Sequence, residues 1–148
     1  MFKTLMTVLA VAGSPLMAET TFDTWADDPS VVIMADDADL ADFKWRARPM
    51  VIFADSPLDP KFIEQMDLLS ERIGDVTARD IALIIDTDPD ANTVLRQKFR
   101  PHGFVWLLID KDGEIKLRKP FPWDMRELSR SIDKMPSRQQ EVEAARGR

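Results

Sequence analysis

Three apolar runs dominate the chain. Residues 50–54 (Met-Val-Ile-Phe-Ala) are continuously hydrophobic, and so are residues 81–85 (Ile-Ala-Leu-Ile-Ile). Runs of this length without polar alternation predict central strands covered on both faces. Residues 104–109 predict a third strand. In a fourth, residues 114–118, Ile115 and Leu117 alternate with charged residues as on a sheet edge. Asp110-Lys111-Asp112-Gly113 joins the last two as a hairpin turn, with Gly113 available for positive φ. Between the first two strands, Phe62, Ile63, Met66, Leu69 and Ile73 recur at helical spacing. Lys61, Glu64, Gln65, Asp67, Glu71 and Arg72 fall on the opposite face. Asp59-Pro60 supplies an N-cap and a first-turn proline, and Gly74 a natural stop. A short helix over residues 91–99 turns Val94, Leu95 and Phe99 inward. A last helix over residues 124–135 aligns Met125, Leu128, Ile132 and Met135, and Pro136 ends it.

The order β-α-β-α-β-β-α begins with a buried strand joined through a helix to another buried strand. That connection implies a right-handed parallel crossover, to which the hairpin adds an antiparallel pair. The expected fold is α/β and thioredoxin-like: a central mixed four-stranded sheet with helices on both faces. Upstream, residues 31–34 could form a short strand, and Leu40, Phe43 and Trp45 one apolar stripe of a helical turn. The expected organisation is a signal peptide (1–18), an acidic segment (19–46), the thioredoxin-like domain (47–136) and a polar tail (137–148) that frays.

Charge and composition narrow the partners. Met1-Phe2-Lys3, an apolar run from Leu5 to Leu16 and the small Ala18 before Glu19 read as a cleavable export signal. The run is shorter than the ~20 apolar residues of a membrane span. With no cysteine after it, a lipid anchor is excluded. The expected location is periplasmic or secreted, with no stable membrane anchor after cleavage. A net charge of -6 repels phosphate backbones, so nucleic acid is not an expected partner. The chain contains no cysteine at all. No position can serve as a redox thiol or thiolate ligand, which excludes thiol–disulfide exchange and thiol peroxidase chemistry.

Three stretches carry a resemblance: residues 45–54 (WRARPMVIFA), 107–118 (LLIDKDGEIKLR) and 132–141 (IDKMPSRQQE). Together they resemble an uncharacterised bacterial domain-of-unknown-function family of thioredoxin-like or peroxiredoxin-like type. Related domains occur in animal sushi-repeat and extracellular-matrix proteins. The resemblance spans roughly residues 40–141 and implies no catalytic residues. The wider superfamily places its reactive cysteine after the first strand, where a helix N-terminus lowers a thiol pKa. Here Asp55-Ser56-Pro57-Leu58-Asp59 holds that place. Redox thioredoxins also carry a proline immediately before the third strand, whereas Pro101 is separated from Phe104 by His102-Gly103.

Other chemistries have thin support. Ser56 would need a base, and His102 is the only histidine; a hydrolase built on Ser56, His102 and Asp55 or Asp59 is conceivable, although no nucleophile elbow is visible. Asp86-Thr87-Asp88-Pro89-Asp90 opens like a calcium loop, but Ala91 and Gln97 stand where a glycine and a bidentate glutamate belong. With one histidine and no cysteine, no zinc or other metal site is expected. Asp36, Asp37 and Asp39 lie in a solvated acidic run unsuited to acid–base work. No glycine-rich phosphate loop exists, and no cofactor is expected. Of the tryptophans, Trp106 should pack under a helix, Trp45 should cover the sheet edge, and Trp123 should be partly exposed.

The expected function is an exported, non-redox thioredoxin-like module that binds an unknown protein or envelope component. Asp55, Ser56, His102 and Trp123 form its candidate recognition surface. The alternatives are the Ser56–His102 hydrolase and a structural or assembly protein.

Overall fold

A computed structural model describes residues 17–148. The expected signal peptide, apart from its last two residues, lies outside them. The elements run α1 (Thr21–Asp27), β1 (Val32–Met34), β2 (Arg48–Phe53), α2 (Pro60–Glu71), α3 (Ile73–Ala78), β3 (Ile81–Asp86), α4 (Val94–Phe99), β4 (Val105–Ile109), β5 (Ile115–Lys119), α5 (Met125–Asp133) and α6 (Pro136–Arg146). The sheet order is β1-β3-β2-β4-β5. β3 pairs parallel with both β1 and β2, while β4 runs antiparallel to β2 and β5.

Alternation along the central strands builds two cores. Val51, Phe53, Ile84, Val105 and Leu107 face α1 and α4, meeting Trp25, Phe43, Leu95 and Phe99. Met50, Ile52, Leu83, Trp106 and Leu108 face α2, α3 and α5, meeting Phe62, Leu69, Val76, Leu128 and Ile132. Trp106 lies under helices as its strand phase predicts, fully buried with Trp123 packed edge-on at 5.4 Å.

Among the described residues the sheet has five strands rather than four, because residues 32–34 add an edge strand beside β3. Residues 19–46 are therefore part of the packed body: Trp25, Ile33, Ala35 and Phe43 all lie in its core. Gly74 does not end a helix. The chain breaks at Arg72, and Gly74 sits inside α3. On α2, Ile63 turns out to solvent while Gln65, assigned to the polar face, is fully buried. Its amide serves Trp123 twice, donating to the carbonyl and accepting from the N–H, each at 3.0 Å. Val94 points outward, 76% exposed, since the helix begins only there and Thr93 takes the inward cap position. Trp45 covers no edge. It is 71% exposed, in a left-handed conformation (φ 68°) held by its N–H on the Lys111 carbonyl at 2.7 Å.

The largest departure is the C-terminal stretch. Pro136 opens α6 as its first residue instead of closing a helix, so residues 137–146 do not fray. Hydrophobic burial does not hold α6, which contributes no fully buried residue. Its anchor is Arg48, itself completely buried. The Arg48 guanidinium donates to Asp110 (3.1 Å), the Arg79 carbonyl (2.9 Å), Ser137 Oγ (3.0 Å) and both oxygens of Glu141 (2.8 and 3.2 Å). Ser137 Oγ also donates to Asp110, and Lys111 bridges Asp80 and Glu141 at 2.8 Å each. A planar five-donor group suits such a junction, because each N–H finds its own acceptor.

Substituting Arg48→Ala would leave Asp110 buried without its cation and the Arg79 carbonyl without its donor. The expected cost is about 3–5 kcal/mol, read as a lower urea midpoint, with amide exchange accelerating first in α6. Unchanged α6 protection would refute the anchoring role.

Partial burial pushes the Glu141 carboxyl up, but hydrogen bonds from Arg48 and Lys111, reinforced by their charges, outweigh it and hold the group below its ordinary value of 4.5. A depressed folded-state value means the stabilisation is full above that ordinary value and fades as pH falls through the lower folded one. Amide exchange followed against pH should show α6 loosening only on the acid side of about pH 4.5. Glu141→Gln should flatten that dependence.

Candidate functional site

The parallel register places the C-terminal ends of β2 and β3 together, with Phe53 opposite Asp86. Antiparallel pairing sets Val105, at the start of β4, opposite Phe53, and Lys119, at the end of β5, opposite Trp106. Residues 54–59, 86–93, 100–104 and 120–123 therefore meet at one end of the sheet, the loop end.

The loop after β2 is tightly specified. Ser56 Oγ accepts from the Leu58 N–H at 3.1 Å, and the Asp59 carboxylate accepts from the Lys61 N–H at 2.9 Å as the cap of α2. Beneath it, Ala54 is pinned from two sides. Its N–H donates to the Asp86 carbonyl at 2.9 Å, and its carbonyl accepts from Arg96 at 2.7 Å. Arg96 also donates to the Asp86 carboxylate at 2.8 Å, and the second carboxylate oxygen accepts from Thr93 Oγ at 2.6 Å. All three side chains are buried. Asp86, which opens the calcium-like stretch, is thus committed inward to a cation and a hydroxyl. Among the described residues, no group of three or more His, Cys, Asp or Glu side chains is arranged to hold a metal ion.

Of the sequence-selected residues, Asp55 and His102 are exposed and Ser56 is half-buried. Trp123 is half-buried as well, with its backbone clasped by Gln65 and the Lys119 ammonium 5.0 Å from its ring. Among the described residues no hydrogen bond joins Ser56 or Asp59 to His102. The Asp59 carboxylate works as a helix cap, so the three do not form a linked relay. Leu58 (78% exposed) and Phe121 (49%) add apolar surface at the same end. Nothing in the sequence singles out Arg96, Thr93 and Gln65. Sheet register brings the first two to Ala54 and Asp86, and the packing of α2 brings Gln65 to Trp123, while a buried Arg or Gln looks like any surface residue in a sequence.

The family model "Domain of unknown function (DUF4174)" matches residues 39–141, and the chain belongs to that family. Its span ends at Glu141, the last acceptor of Arg48. The three resembling stretches supply the parts of that junction: Arg48 from the first, Asp110 and Lys111 from the second, Ser137 and Glu141 from the third. No curated protein matches the chain. Among solved structures, the reduced 2-Cys peroxiredoxin of Plasmodium vivax superposes with a TM-score of 0.57 at 11% identity, covering 73% of this chain and 91% of its own. Reduced desulfothioredoxin from Desulfovibrio vulgaris Hildenborough gives 0.52 at 19% identity, over 71% and 97%. The exposed lipoprotein thioredoxin of Streptococcus pneumoniae gives 0.51 at 12% identity, over 70% and 96%. At these identities the likeness establishes a thioredoxin-type fold.

Arg96→Ala would leave the Ala54 carbonyl without its side-chain donor and the Asp86 carboxylate without its buried cation, at an expected cost of about 3–5 kcal/mol. Amide exchange should rise across residues 54–59 before it rises in β4. Arg96→Lys should recover only part of the loss, because an ammonium cannot span the same acceptors. Full recovery by Lys would show that charge alone suffices there.

Proposed function

We propose that this chain is an exported thioredoxin-fold binding module without thiol redox activity, presenting the loop end of its sheet to another protein or an envelope component. The observation that carries the reading is the loop at residues 55–59. It occupies the place where redox members of the fold offer a sulfur nucleophile, yet it has no sulfur. Its geometry is nonetheless held by a buried Arg96–Asp86–Thr93 support. Ordered backbone with exposed Leu58, Asp55, His102 and Phe121 around it suits recognition, because binding then orders little further chain. Aromatic groups at such a surface are the usual anchors. Export rests on the N-terminal segment of the sequence.

A photoreactive residue placed at Leu58 or Phe121, irradiated in the cell envelope of a producing strain, should give a discrete adduct. The same probe on α6, at Ala145, should not. Identical adducts from both positions, or none at the loop end, would count against recognition there. A second reading, hydrolysis by Ser56 with His102 as base, is favoured only by the shared end of their loops. Ester and peptide hydrolysis by the purified protein should be at background and unmoved by His102→Ala; a rate that His102→Ala abolishes would establish the enzyme instead.

A further inference from the structure

The two outer strands of the sheet are finished differently. β5 carries Lys116, Arg118 and Lys119 within the strand itself, the usual protection of an exposed edge. β1 carries no charge: its residues are Val32, Ile33 and Met34, and Val32 and Met34 are 39% and 46% exposed. Among the described residues β1 pairs on one side only, with β3, so the other side presents backbone N–H and C=O groups at alternate positions. A groove of about 510 Å3 runs along that side, lined by residues 31–34, by Thr20, Thr21 and Thr24 at the start of α1, and by Glu19, Asp37 and Asp42.

The chain segment that frames this edge carries charge of one sign, with Arg46 the nearby cation, stacked over Phe22 at 4.6 Å. All eight ionisable residues from Glu19 to Asp42 are acidic. Among the described residues none of them forms an ion pair. Several are engaged by hydroxyl or amide donors, as Asp42 is by the Thr21 N–H, but that leaves their charge in place. At the Arg48 end of the sheet, by contrast, Asp110 and Glu141 are each matched to a cation.

The geometry points to the β1 edge as a docking strip for an extended, basic segment of a partner protein. The segment adds a sixth strand beside β1. Main-chain hydrogen bonds supply register, Val32 and Met34 offer apolar contacts to alternate side chains, and Lys or Arg on the incoming strand meet Glu19, Asp37 and Asp42. This goes beyond the loop-end reading, uses a different surface, and stands or falls separately from it.

The test uses the purified protein and three labelled peptides: alternating lysine–valine, alternating glutamate–valine, and the lysine–valine peptide with proline at alternate positions. Fluorescence anisotropy should show binding of the first, weakening as salt is added. The proline peptide keeps the charge and loses strand donors, so it should bind at least about tenfold more weakly, the expected effect of roughly two lost hydrogen bonds. The glutamate peptide should not bind. Amide chemical shifts should move at residues 32–34. Glu19→Gln with Asp37→Asn, at groove side chains outside any ion pair among the described residues, should weaken binding several-fold and leave the circular dichroism spectrum unchanged. No binding of the lysine–valine peptide, equal binding of the proline peptide, or shifts confined to other elements would each overturn the proposal. None of these outcomes touches the photo-crosslinking result at Leu58 and Phe121.

Discussion

A fully buried guanidinium with five hydrogen-bond donors must find acceptors for them, and Arg48 does so by drawing in three separate parts of the chain. The turn after β4 brings Asp110, the end of α3 brings the Arg79 carbonyl, and α6 brings Ser137 and Glu141. Desolvating such a cation is expensive, so the arrangement tolerates little error. Buried ion networks are seldom the cheapest route to stability. What this one supplies is a unique position for a helix with no apolar stripe of its own. The family's span coincides with that junction: its limits enclose Arg48 and close on Glu141.

The two ends of the sheet consequently differ in character. At the Arg48 end, the available donors and acceptors are spent on holding α6 and the 110–113 turn. At the loop end, a second buried arginine, Arg96, shapes the backbone but leaves the side chains of residues 55–59 free of it. Each arginine sits where the strand ladders run out and a side chain must satisfy the remaining carbonyls. Such a division leaves exposed loop-end side chains such as Asp55 and Leu58 outside both buried networks. A thioredoxin-type fold is thus built here from a sequence without cysteine.

The central strands were readable because a short, unbroken apolar run between polar turns suits little besides a strand buried on both faces. The helices α2 and α5 were readable because an Asp N-cap precedes a largely apolar stripe in each. β1 was ambiguous because three residues carry no periodicity, and its place beside β3 depends on a long-range pairing. α6 was invisible to hydrophobic patterning because it is held by charge. Gln65 and Ile63 exchanged places relative to the apolar stripe for a specific reason: Gln65 meets two backbone groups of Trp123 that nothing else satisfies, and that need outranks the burial of one isoleucine side chain. That the loops holding Ser56 and His102 share one end of the sheet followed from strand order alone. The buried support beneath them did not, since contact between Arg96, Ala54 and Asp86 is set by sheet register.

The clasp on Trp123 reaches further along the segment between β5 and α5. Pro120 and Pro122 have no N–H to satisfy. The Pro120 carbonyl accepts from Lys61 at 3.4 Å, the Phe121 carbonyl from the Trp106 indole at 3.0 Å, and Trp123 is served at both its N–H and its carbonyl by Gln65. A crossover with no helix or ladder of its own is thus tied down by side chains rooted in neighbouring elements. Its most exposed side chain, Phe121, is released from structural duty, while Trp123 still packs on Trp106. Position 121 is free to vary while the segment keeps its path, provided that Lys61, Gln65, Trp106 and Trp123 stay in place.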